Sequence, residues 1–238
     1  MIIANEKKYI EEILSSKKKP KTISIKTLIR YVCKYYYDYC KDMTVDEYKR
    51  FILDILDSFD FSPLEFQEYK YAAYVRSNCK NLLSGLFPHD MRDVTSVSFT
   101  EDEITLINEA VYRKERKVLF TLYALAKIYS PALGWVNCSE ADIFNYANVR
   151  CSYKERLQIL HSLIKDGLIE MNHMLDKTGY HVMLKPDSPI VLSTSRLDNF
   201  GNQYLAYMDN NLHVCSICGR LFKPQKSDEC KCIRCLSL

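Results

Sequence analysis

The stretch SEADIFNYANVRCSYKERLQILHSLIKDGLIE, residues 139–170, decides the fold that we predict for this chain. Ser139 is a helix-capping residue ahead of a short run with apolar residues, which predicts a short helix. Ser152 and Glu155 then form a capping box, in which each side chain caps the other residue's backbone N–H. The helix that they begin should end at Gly167. This order predicts two helices that are joined by a tight turn and followed by a strand.

The residues on either side of this stretch extend the pattern. Residues 112–129 have one apolar face at helical spacing, and residues 134–137 are expected to form a short extended piece. After the second helix, residues 168–174 and 180–185 are expected to be extended. The sequence DKTG between them, at residues 176–179, is typical of a hairpin turn. The predicted order of elements is therefore helix, short strand, helix, turn, helix and two-stranded hairpin.

This order of elements resembles that of the winged helix-turn-helix superfamily, over residues 111–185. The resemblance implies a domain with a small β-wing, whose helix after Ser152 lies in the major groove of double-stranded DNA. At 100° per residue, that helix has an apolar face and an opposite polar face. The apolar face is expected to hold Tyr153, Leu157, Ile159, Leu160, Leu163 and Ile164. The side chains expected to contact DNA are Lys154, Gln158, His161 and Lys165.

Basic residues beside this helix are candidates for contacts with the flanking phosphates. The net charge of the chain is only +3, but residues 111–130 alone carry five Lys or Arg against one Glu. Phosphate contacts from such clusters position a protein on DNA without reading its sequence. The candidates are Arg113, Lys114, Arg116, Lys117 and, in the predicted hairpin, Lys177.

The last residues of the chain carry two C-x-x-C pairs, Cys215 with Cys218 and Cys232 with Cys235. Each C-x-x-C turn directs two thiolates towards one point, and two such turns complete a tetrahedral Zn²⁺ shell. Four thiolate ligands leave no open coordination position, so the sequence predicts a structural zinc ion. An iron–sulfur cluster is the alternative. The segment resembles a zinc ribbon or a small treble-clef finger.

Three further features of this segment bear on its chemistry. Gly219 would let the turn after Cys218 adopt a positive φ. Cys230 could replace Cys232 as a ligand, although a C-x-C spacing gives poorer turn geometry, so we interpret it as a spare thiol. Lys223 and Lys226 are candidates for a second contact with nucleic acid.

The composition limits the class of function. Of the 238 residues, 47% are hydrophobic and 26% charged, which is typical of a soluble globular protein. There is no apolar run of about 20 residues and no secretory signal pattern, so we expect a cytoplasmic protein with no membrane contact. The chain has only six glycines, and they are too far apart to form a dinucleotide fingerprint or a P-loop. Together with the absence of other catalytic motifs, this predicts a protein that is not an enzyme.

The fold class expected is mainly α, in three parts. Residues 1–99 are predicted to be an all-helical domain. One helix is expected over residues 22–41, and two more should begin at the capping boxes of Thr44 with Glu47 and of Ser62 with Glu65. Residues 100–190 are predicted to be the winged helix-turn-helix domain. Residues 191–238 are expected to form a linker strand and the zinc-ribbon module.

These features predict a DNA-binding replication or regulatory factor. The combination of parts is loosely similar to such proteins of bacteriophages and mobile elements. The helical domain would recruit a protein partner or form an oligomer. An alternative is a protein-interaction module, such as a phage-encoded inhibitor that binds a host nuclease or defence complex. A third interpretation is a nuclease or primase in which Asp54, Asp57 and Asp60 hold Mg²⁺; the other interpretation of these three residues is the polar face of a helix.

Overall fold

A computed structural model describes residues 5–62, 65–174, 177–225 and 229–236 of the chain. In these residues the protein is mainly helical and carries small antiparallel sheets, in agreement with the predicted fold class. The chain divides into two compact units, Met1–Val94 and Thr95–Leu238. Within the described ranges, no helix combines the length and the apolar character needed to cross a bilayer.

The first unit is a group of helices around an apolar core. Its helices are α1 (Glu6–Ser16), α2 (Ile25–Tyr35), α3 (Tyr37–Cys40), α4 (Val45–Asp57) and α5 (Glu68–Leu83). The side chains of Leu28, Ile29 and Val32 on α2 are fully buried, as is that of Ile52 on α4. Buried apolar residues at helical spacing therefore hold α2, α4 and α5 together.

The predicted helix starts in this unit are only partly correct. The capping box at Thr44 is present, because Glu47 N donates to Thr44 Oγ1 and Thr44 N donates to Glu47 Oε2. The helix predicted to begin at Ser62 is wrong, since α5 begins at Glu68. The helix predicted over residues 22–41 is likewise interrupted, with α2 ending at Tyr35 and α3 beginning at Tyr37.

Aromatic packing explains the late start of α5. Phe61 lies between Phe59 and Phe66, with ring centroids 5.4 Å and 5.1 Å apart, and Phe66 stacks on Tyr71 at 5.6 Å. These contacts hold the chain before α5 against the core. The burial of aromatic surface thus outweighs a local capping preference.

The second unit mixes helices with three small sheets. Its first elements are β1 (Val97–Thr100), α6 (Glu101–Glu109), α7 (Arg113–Tyr129), β2 (Trp135–Val136), α8 (Glu140–Tyr146) and α9 (Tyr153–Lys165). The remaining elements are β3 (Glu170–Met174), β4 (Lys177–His181), β5 (Ile190–Thr194), α10 (Phe200–Met208), β6 (His213–Val214), β7 (Leu221–Phe222) and α11 (Ile233–Leu236). Strand β1 pairs with β5, β4 pairs with both β2 and β3, and β6 pairs with β7. All of these pairings are antiparallel.

Helix α7 is the centre of this unit. Phe120 stacks on Phe99 of β1, with ring centroids 4.0 Å apart, and lies 5.4 Å from the ring of Tyr204 on α10. The prediction that residues 1–99 are all helical is wrong for the last three, because β1 includes Phe99 and pairs it with Leu192 of β5. A pairing between residues so far apart leaves no local signal in the sequence.

The hairpin of β3 and β4 differs in one detail from the prediction. Met174 pairs with Lys177, so the connection is residues 175–176, which lie outside the described residues, and the predicted turn at residues 176–179 is wrong. Gly179 belongs to β4, where a Cβ atom would lie only 2.7 Å from Asn137 Oδ1. This glycine therefore lies at a close approach between β4 and the side chain of Asn137, and not in a turn.

The carboxylate of Glu103 ties three segments of the second unit together. Its side chain is fully buried, and it accepts hydrogen bonds from Thr100 N at 2.9 Å and Lys185 N at 3.2 Å. Lys127 Nζ on α7 forms an ion pair with it at 2.8 Å. Glu155, in the equivalent capping box of α9, is exposed and lies 3.7 Å from exposed Lys114.

The two capping glutamates provide a matched test of this packing. We expect Glu103→Gln to lower the free energy of unfolding of the second unit by about 2 kcal/mol, because Lys127 loses its anionic partner in a buried site. Glu155→Gln should cost less than about 1 kcal/mol, since its ion pair is exposed. Urea unfolding followed by the fluorescence of Trp135, the single tryptophan, measures both. Equal losses for the two variants would contradict this account.

Candidate functional site

Four cysteine side chains converge at the C-terminal end of the second unit. The sulfur atoms of Cys215, Cys218, Cys232 and Cys235 all lie within 4.8 Å of one another, and the Cys218 and Cys232 sulfurs are 3.6 Å apart. Four thiolates at about 2.3 Å from one tetrahedral zinc ion would be about 3.8 Å apart. The four cysteines predicted from the two C-x-x-C pairs therefore form a cluster that can hold a metal ion.

The backbone of the β6–β7 hairpin positions the first pair of thiols. Cys215 N donates to Arg220 O at 2.8 Å, and Gly219 N donates to Cys215 O at 2.9 Å. Gly219 has a φ of +69°, as predicted, and its absent side chain leaves room for Asn199. The turn after Cys218 is thus one that favours glycine.

Helix α11 positions the second pair. Cys235 N donates to Cys232 O at 2.8 Å as that short helix begins. Cys230 lies outside the cluster and its side chain is exposed, whereas Cys232 is buried within it. Ser216 N donates to Cys230 O at 2.7 Å, so Cys230 joins the two halves of the module through its backbone.

Two thiols of the cluster have pKa values that are shifted in opposite directions. Burial raises the pKa of Cys215, but hydrogen bonds from the backbone N–H groups of Cys218, Cys232 and Ile217 outweigh it and bring the pKa down to about 6. Burial, together with hydrogen bonds with the other three cysteines, raises the pKa of Cys235 to about 12. One thiolate is therefore favoured by the backbone, and a cation would be needed to stabilise all four.

Two residues outside the cysteine motifs hold this module to the rest of the unit. Arg196 Nη1 donates to Cys215 O at 2.8 Å and to Ser216 O at 3.0 Å. Asn202, on α10, is buried and donates to Gly219 O at 2.9 Å. Sequence reasoning missed both, because neither belongs to a ligand spacing. An Arg and an Asn shortly before the first C-x-x-C pair are too common to indicate such contacts.

The predicted DNA-contacting residues of α9 lie on its exposed side. Lys154, Gln158, His161 and Lys165 are all exposed there. The predicted apolar face is only partly buried: Leu160 and Leu163 are buried, but Tyr153 is 68% and Leu157 40% exposed. Leu157 lies at the edge of the buried face that runs along Leu160 and Leu163, whereas Tyr153 is the first residue of the helix.

The basic residues of α7 have different environments. Arg113 and Lys114 are exposed, and Arg116 Nε donates to Ala110 O at 2.7 Å. The prediction that Lys117 contacts phosphates is wrong, because its side chain is buried and donates to Asn148 O at 2.7 Å. Burial, and then the nearby charge of Arg113, lowers its pKa to about 8. Lys117 is therefore an internal hydrogen-bond donor.

Other predicted residues are more dispersed. Lys223 is exposed just after β7, whereas Lys226 and the side chain of Lys177 lie outside the described residues. Asp54, Asp57 and Asp60 are exposed, and they do not form a metal-sized group among the described residues. The cysteine cluster and the exposed side of α9 are thus the features with a functional interpretation.

Comparisons with protein-family models, with curated proteins and with solved structures find no match for this chain. What the protein does must therefore be inferred from its own residues.

Cys230 and Cys232 provide a matched test of the metal centre. Cys230→Ser should leave one metal ion per chain, because its sulfur lies outside the cluster. Cys232→Ser removes one of the four thiolates and should lower the affinity for metal at least tenfold. Metal content after dialysis against a competing chelator, measured by mass spectrometry, separates them. Equal retention by both variants, or loss of metal from Cys230→Ser, would overturn this assignment.

Proposed function

We propose that the four cysteines hold a single structural Zn²⁺ in a zinc-ribbon-like module. The sulfur separations support one central ion, because an iron–sulfur cluster divides its four cysteines among two or four irons and holds the sulfurs on different irons further apart. The ion would neutralise the thiolates and cross-link the β6–β7 hairpin to α11. With four thiolates bound it has no open position for a substrate.

We propose that residues 111–185 are a winged helix-turn-helix domain that binds double-stranded DNA. The observation that carries the proposal is the exposed face of α9, with Lys154, Gln158, His161 and Lys165 side by side. The context of that helix supports it. Elements α7, β2, α8, α9, β3 and β4 follow one another in the order of a winged helix, and β4 pairs with both β2 and β3.

The dimensions of α9 suit a major groove. Lys154 and Lys165 are eleven residues apart, which at 1.5 Å per residue is about 16 Å along the helix axis. The major groove is about 12 Å wide, so the two ammonium groups would reach phosphates at its opposite edges. Gln158 and His161 lie between them on the same face and would meet the base edges, where an amide can pair with adenine.

Residues beside α9 would continue the contact. The 3.7 Å separation of Lys114 Nζ from Glu155 Oε1 brings the start of α7 next to the first turn of α9. Arg113 and Lys114 would therefore contact the phosphates that flank the groove. Lys223 in the zinc module would add a second backbone contact, since Arg196 and Asn202 hold that module to the same unit. The first unit would recruit a protein partner or form an oligomer.

We propose, on this basis, a non-enzymatic DNA-binding factor that acts in replication or regulation of a phage or mobile element. The second candidate is a protein-interaction module, such as an inhibitor of a host nuclease. Exposed Tyr153 and Leu157 favour it, because they put an aromatic and an aliphatic side chain beside the charged face of α9. Such residues are buried more often by a protein partner than by DNA.

Charge reversal on α9 tests the first candidate. We expect Lys154→Glu/Lys165→Glu to weaken binding to a mixed-sequence DNA duplex at least tenfold, since two phosphate contacts become repulsive. The control is Lys7→Glu/Lys41→Glu, which changes the charge equally at exposed positions of the first unit. If the native protein makes six phosphate contacts, its affinity for the duplex should fall by about 10³-fold between 50 and 200 mM salt, which fluorescence anisotropy measures.

Two results would contradict DNA binding through α9. One is an unchanged affinity in the Lys154→Glu/Lys165→Glu protein. The other is an affinity for DNA that is weak and flat with salt. In the second case, a stoichiometric complex with a protein on a sizing column, lost on Tyr153→Ala/Leu157→Ala, would support the protein-interaction module.

A further inference from the structure

The first unit contains a cavity of about 280 Å³ that the DNA-binding proposal does not use. It lies between α1, α2, α5 and the residues after α5. Sites for drug-sized ligands have volumes of about 300–1,000 Å³, so this cavity suits a small molecule and not a polymer. Three basic residues line it, namely Arg30, Lys34 and Arg92.

The charge of the lining is unbalanced. Glu6 is the one carboxylate among the described lining residues, and it accepts from Lys34 Nζ at 3.0 Å and lies 3.4 Å from Arg92 Nη2. Arg30 has no carboxylate partner among the residues that the structure describes; its guanidinium lies 6.0 Å from the ring of Tyr31. Three cations and one carboxylate leave the cavity with a charge of +2.

The contacts of Glu6 hold two of the three cations, Lys34 and Arg92, in place, whereas Arg30 is exposed at the cavity. The side chain of Glu6 is 8% exposed, and it also accepts from Arg92 N at 3.1 Å. Burial, and then the charge of Glu6, raises the pKa of Tyr31, so its hydroxyl stays protonated and can donate. Cationic and neutral donors thus converge on one partly dry site, where charge-assisted hydrogen bonds to an anion are strongest.

The rest of the lining is three apolar residues and the amide of Asn78. Leu82 of α5 is buried, and Phe87 and Pro88 follow it in the chain. We propose that this cavity binds a phosphate monoester that carries a small apolar body. The phosphate of a monoester has a charge of about −2 at neutral pH, which matches the lining. The apolar body would lie against Leu82 and Phe87.

Phenyl phosphate is a suitable probe, and benzoate provides the singly charged comparison. Titration calorimetry of the full chain, with ionic strength kept constant by chloride, should show saturable binding of phenyl phosphate and at least tenfold weaker binding of benzoate. Arg30→Gln should weaken phenyl phosphate binding at least tenfold, because a charge-assisted pair is lost. Lys26→Gln, at an exposed position on the same helix, should bind as the native chain does.

Further variants separate this proposal from folding and from DNA binding. Arg30→Lys keeps the charge and should retain most of the affinity if Arg30→Gln fails to fold. The Lys154→Glu/Lys165→Glu protein should bind phenyl phosphate unchanged, since the two sites are in different units. The proposal is overturned by an absence of saturable binding, by equal affinity for benzoate, or by equal affinity in folded Arg30→Gln. Loss of binding in Lys154→Glu/Lys165→Glu would also overturn it.

Discussion

Convergence of four thiols is the constraint on which the C-terminal part of the structure depends. Among the residues that the structure describes, the buried cluster there consists of Cys215, Cys232 and Cys235, with Phe222 alone packed against it. So little apolar surface cannot hold a hairpin and a short helix together. Metal ligation contributes about 10–16 kcal/mol in peptide-sized fingers, which is the scale that such a segment needs. The ligand set is therefore the core of this module.

The cysteine module is attached to the rest of the second unit by a series of buried contacts. Asn202 connects the turn at Gly219 to α10, and α10 packs on α7 through Tyr204 and Phe120. Helix α7 in turn carries Lys117, whose buried ammonium holds the backbone at Asn148, in the turn before α9. One chain of buried polar and aromatic contacts thus links the cysteine cluster with the helix that we propose enters DNA.

Local patterns in the sequence predicted local structure well. The capping boxes at Thr44 and Ser152 are present, because each involves only four consecutive residues. Each C-x-x-C pair is equally local, whereas the convergence of the two pairs is a longer-range contact that the ligand spacing predicted. The Ser62 prediction failed where packing of Phe61 and Phe66 opposed it. The pairing of β1 with β5, the contacts of Arg196 and the burial of Lys117 depend on residues that are distant in sequence, so no spacing could indicate them.

The central claim is that four cysteine thiolates hold one zinc ion, and X-ray absorption at the zinc edge of the purified 238-residue chain tests it most directly. The account predicts one zinc per chain, surrounded by four sulfur atoms at about 2.3 Å. A shell containing nitrogen or oxygen at about 2.0–2.1 Å, or a chain that binds no zinc when purified under reducing conditions, would contradict it.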